Sequence, residues 1–138
     1  MKVELNTQRV MILIQRRYSA IREISKMTKE LEESLIRNDQ ISAAMILQMR
    51  GEAMEKADRC MEEIWQMGES SREDYEKLNL LLTSDPNDSV GENQEEKKIY
   101  EIRRKTQTVI EELRRMDQRL NQRVAGEKSY YRTAQLAR

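Results

Sequence analysis

The chain has no histidine and no phenylalanine, one cysteine, one proline, one tryptophan and four glycines in 138 residues. Without histidine there is no imidazole base poised near neutral pH and no histidine-ligated metal, and the Glu-x-x-His motifs of a di-iron bundle are excluded. Cys60 cannot close an internal disulfide, which suits a reducing compartment. It also lacks an imidazole to activate it as a nucleophile, so it reads as a small core residue. The glycines at 51, 68, 91 and 126 are isolated, which excludes a dinucleotide fingerprint and a phosphate loop. Carboxylate pairs such as Glu62–Glu63 and Glu111–Glu112 are adjacent, and neighbours on a helix diverge by about 100°. No catalytic, cofactor-binding or metal-binding residue is assigned, and the chain is expected not to be an enzyme.

Long apolar runs are also missing. The opening "MKVELNTQRVMILIQRRYSA" holds only "VMILI" between arginines, far short of the roughly 20 residues that cross a bilayer and unlike a signal peptide. A soluble, cytoplasmic protein without membrane insertion is expected. The length is that of one domain. Scarce turn formers beside 36% charged residues point to long helices with solvated faces, and the nine methionines are expected mostly to fill core positions.

Net charge is zero but unevenly placed. Residues 1–38 carry +3, 39–69 carry −4, 70–96 carry −6 and 97–138 carry +7. Interspersed Glu and basic runs no longer than three residues favour neutralisation within one bundle over a nucleic-acid partner. "RRK" at 103–105 and "RR" at 114–115 lack aromatic interleaving, a weak nucleic-acid signal.

Apolar residues at Val10, Leu13, Ile14, Tyr18, Ile21, Ile24, Met27, Leu31 and Leu35 form a helical stripe, predicting a helix over about 4–37. "ESLIRNDQISAAM", residues 33–45, then breaks it. Asn38 and Asp39 are both good N-caps, so the break reads as a tight αα-hairpin corner with antiparallel helices. A second stripe, Ile46, Met49, Ala53, Ala57, Cys60, Ile64 and Met67, predicts a helix over 40–67. Gly68 would cap it at positive φ, while Gly51 inside it marks either a close helix approach or a weak spot. Ser70 or Ser71 caps a short helix over 71–83, with Ser71 and Asp74 as a loose capping box. "TSDPNDSVGENQ" contains the only proline and predicts a mobile loop over 84–94. Trp65 packs against the short helix near Leu78 or Leu81, or else anchors a partner.

The final helix, about 95–124, carries Ile99, Ile102, Thr106, Val109, Leu113, Met116 and Leu120 in steps of three and four. That is an a/d seam of coiled-coil type. Beyond it the helix continues with a weaker face or gives way to a flexible tail over 125–138. The fold class is therefore all-α: a single domain built on an antiparallel helical hairpin of long helices, with a coiled-coil-like C-terminal helix.

This layout, in "LEESLIRNDQISAAMILQMRGEAMEKADRCMEEI" and "TVIEELRRMDQRLNQRVAGEKSYY", resembles the FlgN-type flagellar export chaperones and related type III secretion chaperones. Arg50 stands where the family often has Lys. The resemblance implies a bacterial, cytoplasmic, non-catalytic chaperone that binds the terminal helix of a filament or hook-associated protein and delivers it to the export apparatus. Carried over by position, the partner-binding face comprises Val109, Leu113, Met116, Leu120 and Val124, with Tyr130 and Tyr131 beyond the regular seam. The alternative is a homodimeric coiled-coil structural or adaptor protein whose seam is its own interface.

Overall fold

The computed structural model describes the backbone of residues 5–136 and the side chains of residues 5–123. Four α-helices follow in order: α1 (Thr7–Ile36), α2 (Gln40–Met67), α3 (Arg72–Thr83) and α4 (Gln94–Leu136), with a 3₁₀ turn at Gly68–Ser70. No strand occurs among the described residues. The architecture is an all-α bundle, as the periodicity predicts, and α4 stays helical through Leu136.

Each helix opens on a short polar side chain that accepts from an otherwise unpaired backbone N–H. Asn6 accepts from Arg9 N at 3.0 Å, Asp39 from Ser42 N at 3.0 Å, Ser71 from Asp74 N at 3.1 Å and Asn93 from Glu96 N at 2.9 Å. The corner at 37–39 is an economical reversal. Asn38 adopts the left-handed region at φ 57, a conformation asparagine tolerates. Its N–H bonds Leu35 O at 3.2 Å while that of Asp39 bonds Ser34 O at 2.9 Å. This is a Schellman stop whose final residue is also the first cap of α2, so three residues turn the chain back on itself.

Helix α1 is central, packing along both α2 and α4, whereas α2 and α4 meet only through side chains among the described residues. Val10 and Leu13 cluster with Ile64, Leu78, Ile99 and Ile102 at one end; Leu31 clusters with Ala43 and Leu120 at the other. Helix α4 therefore runs parallel to α1 and antiparallel to α2. Between these ends Ala20, Ile21 and Ala57 form a smaller cluster. Small residues on the inner face of α2, at 43, 53, 57 and 60, let it lie close to α1.

Two polar layers separate the three clusters. Arg17 falls on the core-facing stripe of α1, where burial pushes its guanidinium pKa down against the opposing pull of Asp58 and Cys60. Further along, fully buried Thr28 donates to Ile24 O at 2.7 Å and accepts from Arg50 Nε at 3.1 Å. Arg50 Nη2 then reaches both Asp117 oxygens, at 2.9 and 3.2 Å. One guanidinium thus joins α1, α2 and α4.

Helix α3 folds under the open end of the bundle, inserting fully buried Leu78 and Leu81. Gly68 caps α2 as expected, but at φ −79 rather than at positive φ. What it supplies is space, since a Cβ there would lie 3.1 Å from Leu78 Cδ2. Gly51 faces open space, so it is the weak spot rather than a close approach. The connector expected as a mobile loop, 84–94, is laced to α4: Arg103 donates to Leu81 O at 2.8 Å and Ser84 O at 2.6 Å, and Arg104 to Pro86 O at 2.8 Å. Pro86 itself is buried.

The methionines divide: of the eight with described side chains Met116 is buried, Met11, Met61 and Met67 pack half-buried on the core cluster, Met27 is half-buried, and Met45, Met49 and Met54 are exposed. Met49, on the expected stripe of the second helix, is exposed, while the buried inner face of α2 is carried by Ala43, Ala53, Ala57, Cys60 and Ile64.

Two consequences are measurable. Gly51→Ala, at an open helical site, raises stability in urea denaturation by about 0.5–1 kcal/mol, whereas Gly68→Ala lowers it because Leu78 must shift. The Asp39 carboxyl is held below its usual range by hydrogen bonds from the Ser42 hydroxyl and then the Ser42 N–H. Its contribution is complete above the unfolded carboxyl value of about 3.9 and fades as pH falls through the lower folded-state value. Thermal melts of Asp39→Asn followed by circular dichroism should show a shallower loss of stability over that acid range than the parent.

Candidate partner-binding surface

The residues assigned from the sequence to the partner face divide in the structure. Met116 and Leu120 are buried, Leu120 against Leu31 and Ala43. Val109 and Leu113 are half-buried, packed with Ile110 on Ala20, Ile21 and Ala57. Along its described length the seam is occupied by the chain's own α1 and α2. Val124, Tyr130 and Tyr131 lie outside the residues whose side chains are described. The half-exposure of Val109, Ile110 and Leu113 has a simple origin: Ala57 contributes only a methyl group from α2, too short to cover them.

Helix α2 also exposes large apolar side chains, all but Met49 outside the second stripe. Ile41 is 79% exposed, Met45 61%, Leu47 52%, Met49 47% and Met54 41%. Leu47, Met54 and half-buried Met61 recur every seven residues and so lie on one face of the helix. Met54 is one turn from Ala57, and Leu47 one turn from Arg50, so this face borders α4. The signal was present in the sequence as a surplus: Ile41, Met45, Leu47 and Met54 are apolar residues that fit no position of the second stripe. Surplus apolar residues on a short-packed helix end at its surface.

At the far end of the same face lies Trp65, half-buried and packed on the core cluster containing Leu78 and Leu81, as the simpler sequence reading has it. Its indole also meets the Tyr75 ring, centroids 6.0 Å apart and planes tilted by 40°, and Tyr75 is 52% exposed. An open hollow of about 580 Å³ is lined by Trp65, Gly68, Glu69, Ser71, Arg72 and Tyr75. A second, of about 500 Å³, is lined by Asp58, Met61, Glu62, Trp65, Gln66 and Glu69.

The first basic motif, residues 103–105, is engaged within the chain, whereas Arg114 and Arg115 are exposed. Arg103 and Arg104 hold the connector, Arg103 also lies 5.8 Å from the Tyr100 ring centroid, and Lys105 pairs with Glu101 at 3.2 Å. Arg119 reaches Glu32 at 3.4 Å. Burial lowers the Arg103 pKa, with Tyr100 and Asp85 opposing and Arg17 adding to the effect. Among the described residues no cluster of His, Cys, Asp and Glu is arranged to hold a metal ion, and no helix is long and apolar enough to cross a membrane.

Comparisons with protein-family models, curated proteins and solved structures return no match. The surface itself therefore carries the functional reading.

Because Trp65 is the only tryptophan, its emission reports on this end of the molecule. Tyr75→Ala uncovers one face of the indole, so acrylamide quenching should rise and the emission maximum move to longer wavelength. The thermal midpoint should change little, since Tyr75 is a surface residue; an unchanged quenching constant would mean the rings do not shield each other.

Proposed function

We propose that this chain is a non-catalytic helix-binding protein of the export-chaperone type. It holds an amphipathic terminal helix of a filament or hook-associated protein in the cytoplasm before delivery to the export apparatus. The observation that supports this most is the row of exposed Leu47 and Met54 on α2 beside half-covered Val109, Ile110 and Leu113 on α4. A contiguous exposed apolar patch is a mark of an interaction site. A thioether adapts its shape to different partners, and a partner helix laid along two helices is a common recognition mode.

In this reading Val109 and Leu113 touch the partner directly, and Met116 and Leu120 support that surface from beneath. Val124, Tyr130 and Tyr131, which the resemblance adds to the face, follow further along the sequence. The likeness in layout to FlgN-type chaperones points to the same helix. The competing reading, a homodimer that buries the strip against a second copy, uses the same residues and is separated by experiment.

Light scattering across a concentration series gives the first discrimination: the binding protein stays monomeric, the homodimer does not. A synthetic amphipathic helix with Leu at heptad spacing should bind the monomer. Leu47→Asp with Met54→Asp, both at exposed positions, should weaken binding by roughly tenfold or more, about 1.4 kcal/mol, at unchanged helicity by circular dichroism. Full binding by that double variant, or no binding by the parent, would overturn the assignment.

A further inference from the structure

Trp65 forms the ridge between two hollows, and Glu69 borders both. The floor is apolar, with the Met61 thioether on one side of the indole and the Tyr75 ring on the other. The rim carries acids: Asp58 and Glu62, one turn apart on α2, and Glu69 in the 3₁₀ turn that follows it. Glu62 and Glu69 make no ion pair or hydrogen bond among the described residues. The one base at the rim, Arg72, is turned to Glu76 at 3.2 Å. Asp58 faces Arg17 of α1 and has Arg59 beside it in sequence, so Glu62 and Glu69 are the rim carboxylates left without a partner among the described residues.

An apolar aromatic floor beside two unpaired carboxylates, Glu62 and Glu69, favours one kind of side chain. The methylene stem of Lys or Arg covers Met61 and the indole, the cationic head is attracted to the ring face, and the carboxylates receive its N–H donors. A carboxylate- or phosphate-bearing group would meet like charge. The hollow also continues the Leu47, Met54, Met61 row, so a helix lying along that row brings one of its ends to Trp65. We infer that the Trp65 groove is a specificity site for a basic residue of the bound helix: the partner is a cationic amphipathic helix of a protein. This rests on the helix-binding reading above.

Trp-free synthetic helices with Leu at heptad spacing and either Lys or Glu on the flanks provide the probe, with Trp65 emission as the readout. The Lys helix should shift the emission saturably, and its affinity should fall as salt rises. Glu62→Gln with Glu69→Gln, both at exposed positions, should weaken the Lys helix roughly tenfold and flatten the salt dependence while leaving the melting curve in place. Equal affinity for the Lys and Glu helices would overturn the charge selectivity and leave the helix-binding function standing. Binding of neither would overturn both. An emission shift produced by raising the protein concentration alone would give the groove to a second copy of the chain instead.

Discussion

A single arginine sets the register of the bundle. Helices that pack through alanine and threonine can slide along one another at little cost, because methyl-sized side chains interlock weakly. Arg50 removes that freedom by bonding the fully buried Thr28 hydroxyl of α1 and the Asp117 carboxylate of α4 from its place on α2. A shift of one turn would cost the half-buried Arg50 guanidinium its bonds to Thr28 or Asp117, on the order of 1–3 kcal/mol, while the Thr28 hydroxyl keeps its bond to Ile24 O. The apolar clusters at either end supply the bulk of the burial. The polar layer decides which pairing of those clusters is adopted.

The same helix that carries Arg50 faces two ways. Its inner face is built of small residues, Ala43, Ala53, Ala57 and Cys60, which bring α2 close to α1 but reach little of α4. Its outer face carries Leu47, Met54 and Met61, residues large enough to have filled a core had they pointed inward. Close approach on one side therefore leaves Val109, Ile110 and Leu113 of α4 half-covered on the other, next to the methionine row. The surface proposed for a partner helix follows from this mismatch of side-chain size between α2 and α4.

Electrostatics separates the two ends of the chain. Arg103 and Arg104 of α4 are drawn to carbonyls of α3 and the connector, while Lys105 and Arg119 pair with carboxylates at the surface. Glu62 and Glu69 beside Trp65 are not matched in this way. A segment-by-segment net charge thus misleads about where charge faces solvent, because it does not register which guanidinium groups are used up in holding the chain together.

Much of the architecture was legible from the residues themselves: the first stripe, the corner at Asn38 and Asp39, and the α4 seam are local patterns governed by helical period and capping, and they appear where expected. What sequence could not supply was the competition between elements. Periodicity places Met49 on the inner stripe, whereas the buried face of α2 is carried by Ala43, Ala53, Ala57, Cys60 and Ile64 and Met49 is exposed. It marked Val109, Leu113, Met116 and Leu120 as one continuous seam without saying which helix covers it, and only the meeting of α1, α2 and α4 buries the last two while leaving the first two half open. Gly68 looked like a conformational requirement and is a spatial one, set by Leu78 ten residues later. Local chemistry determines where a helix begins, ends and turns; which of its apolar residues remain available depends on the size of the side chains brought opposite them, and that is decided only when the helices meet.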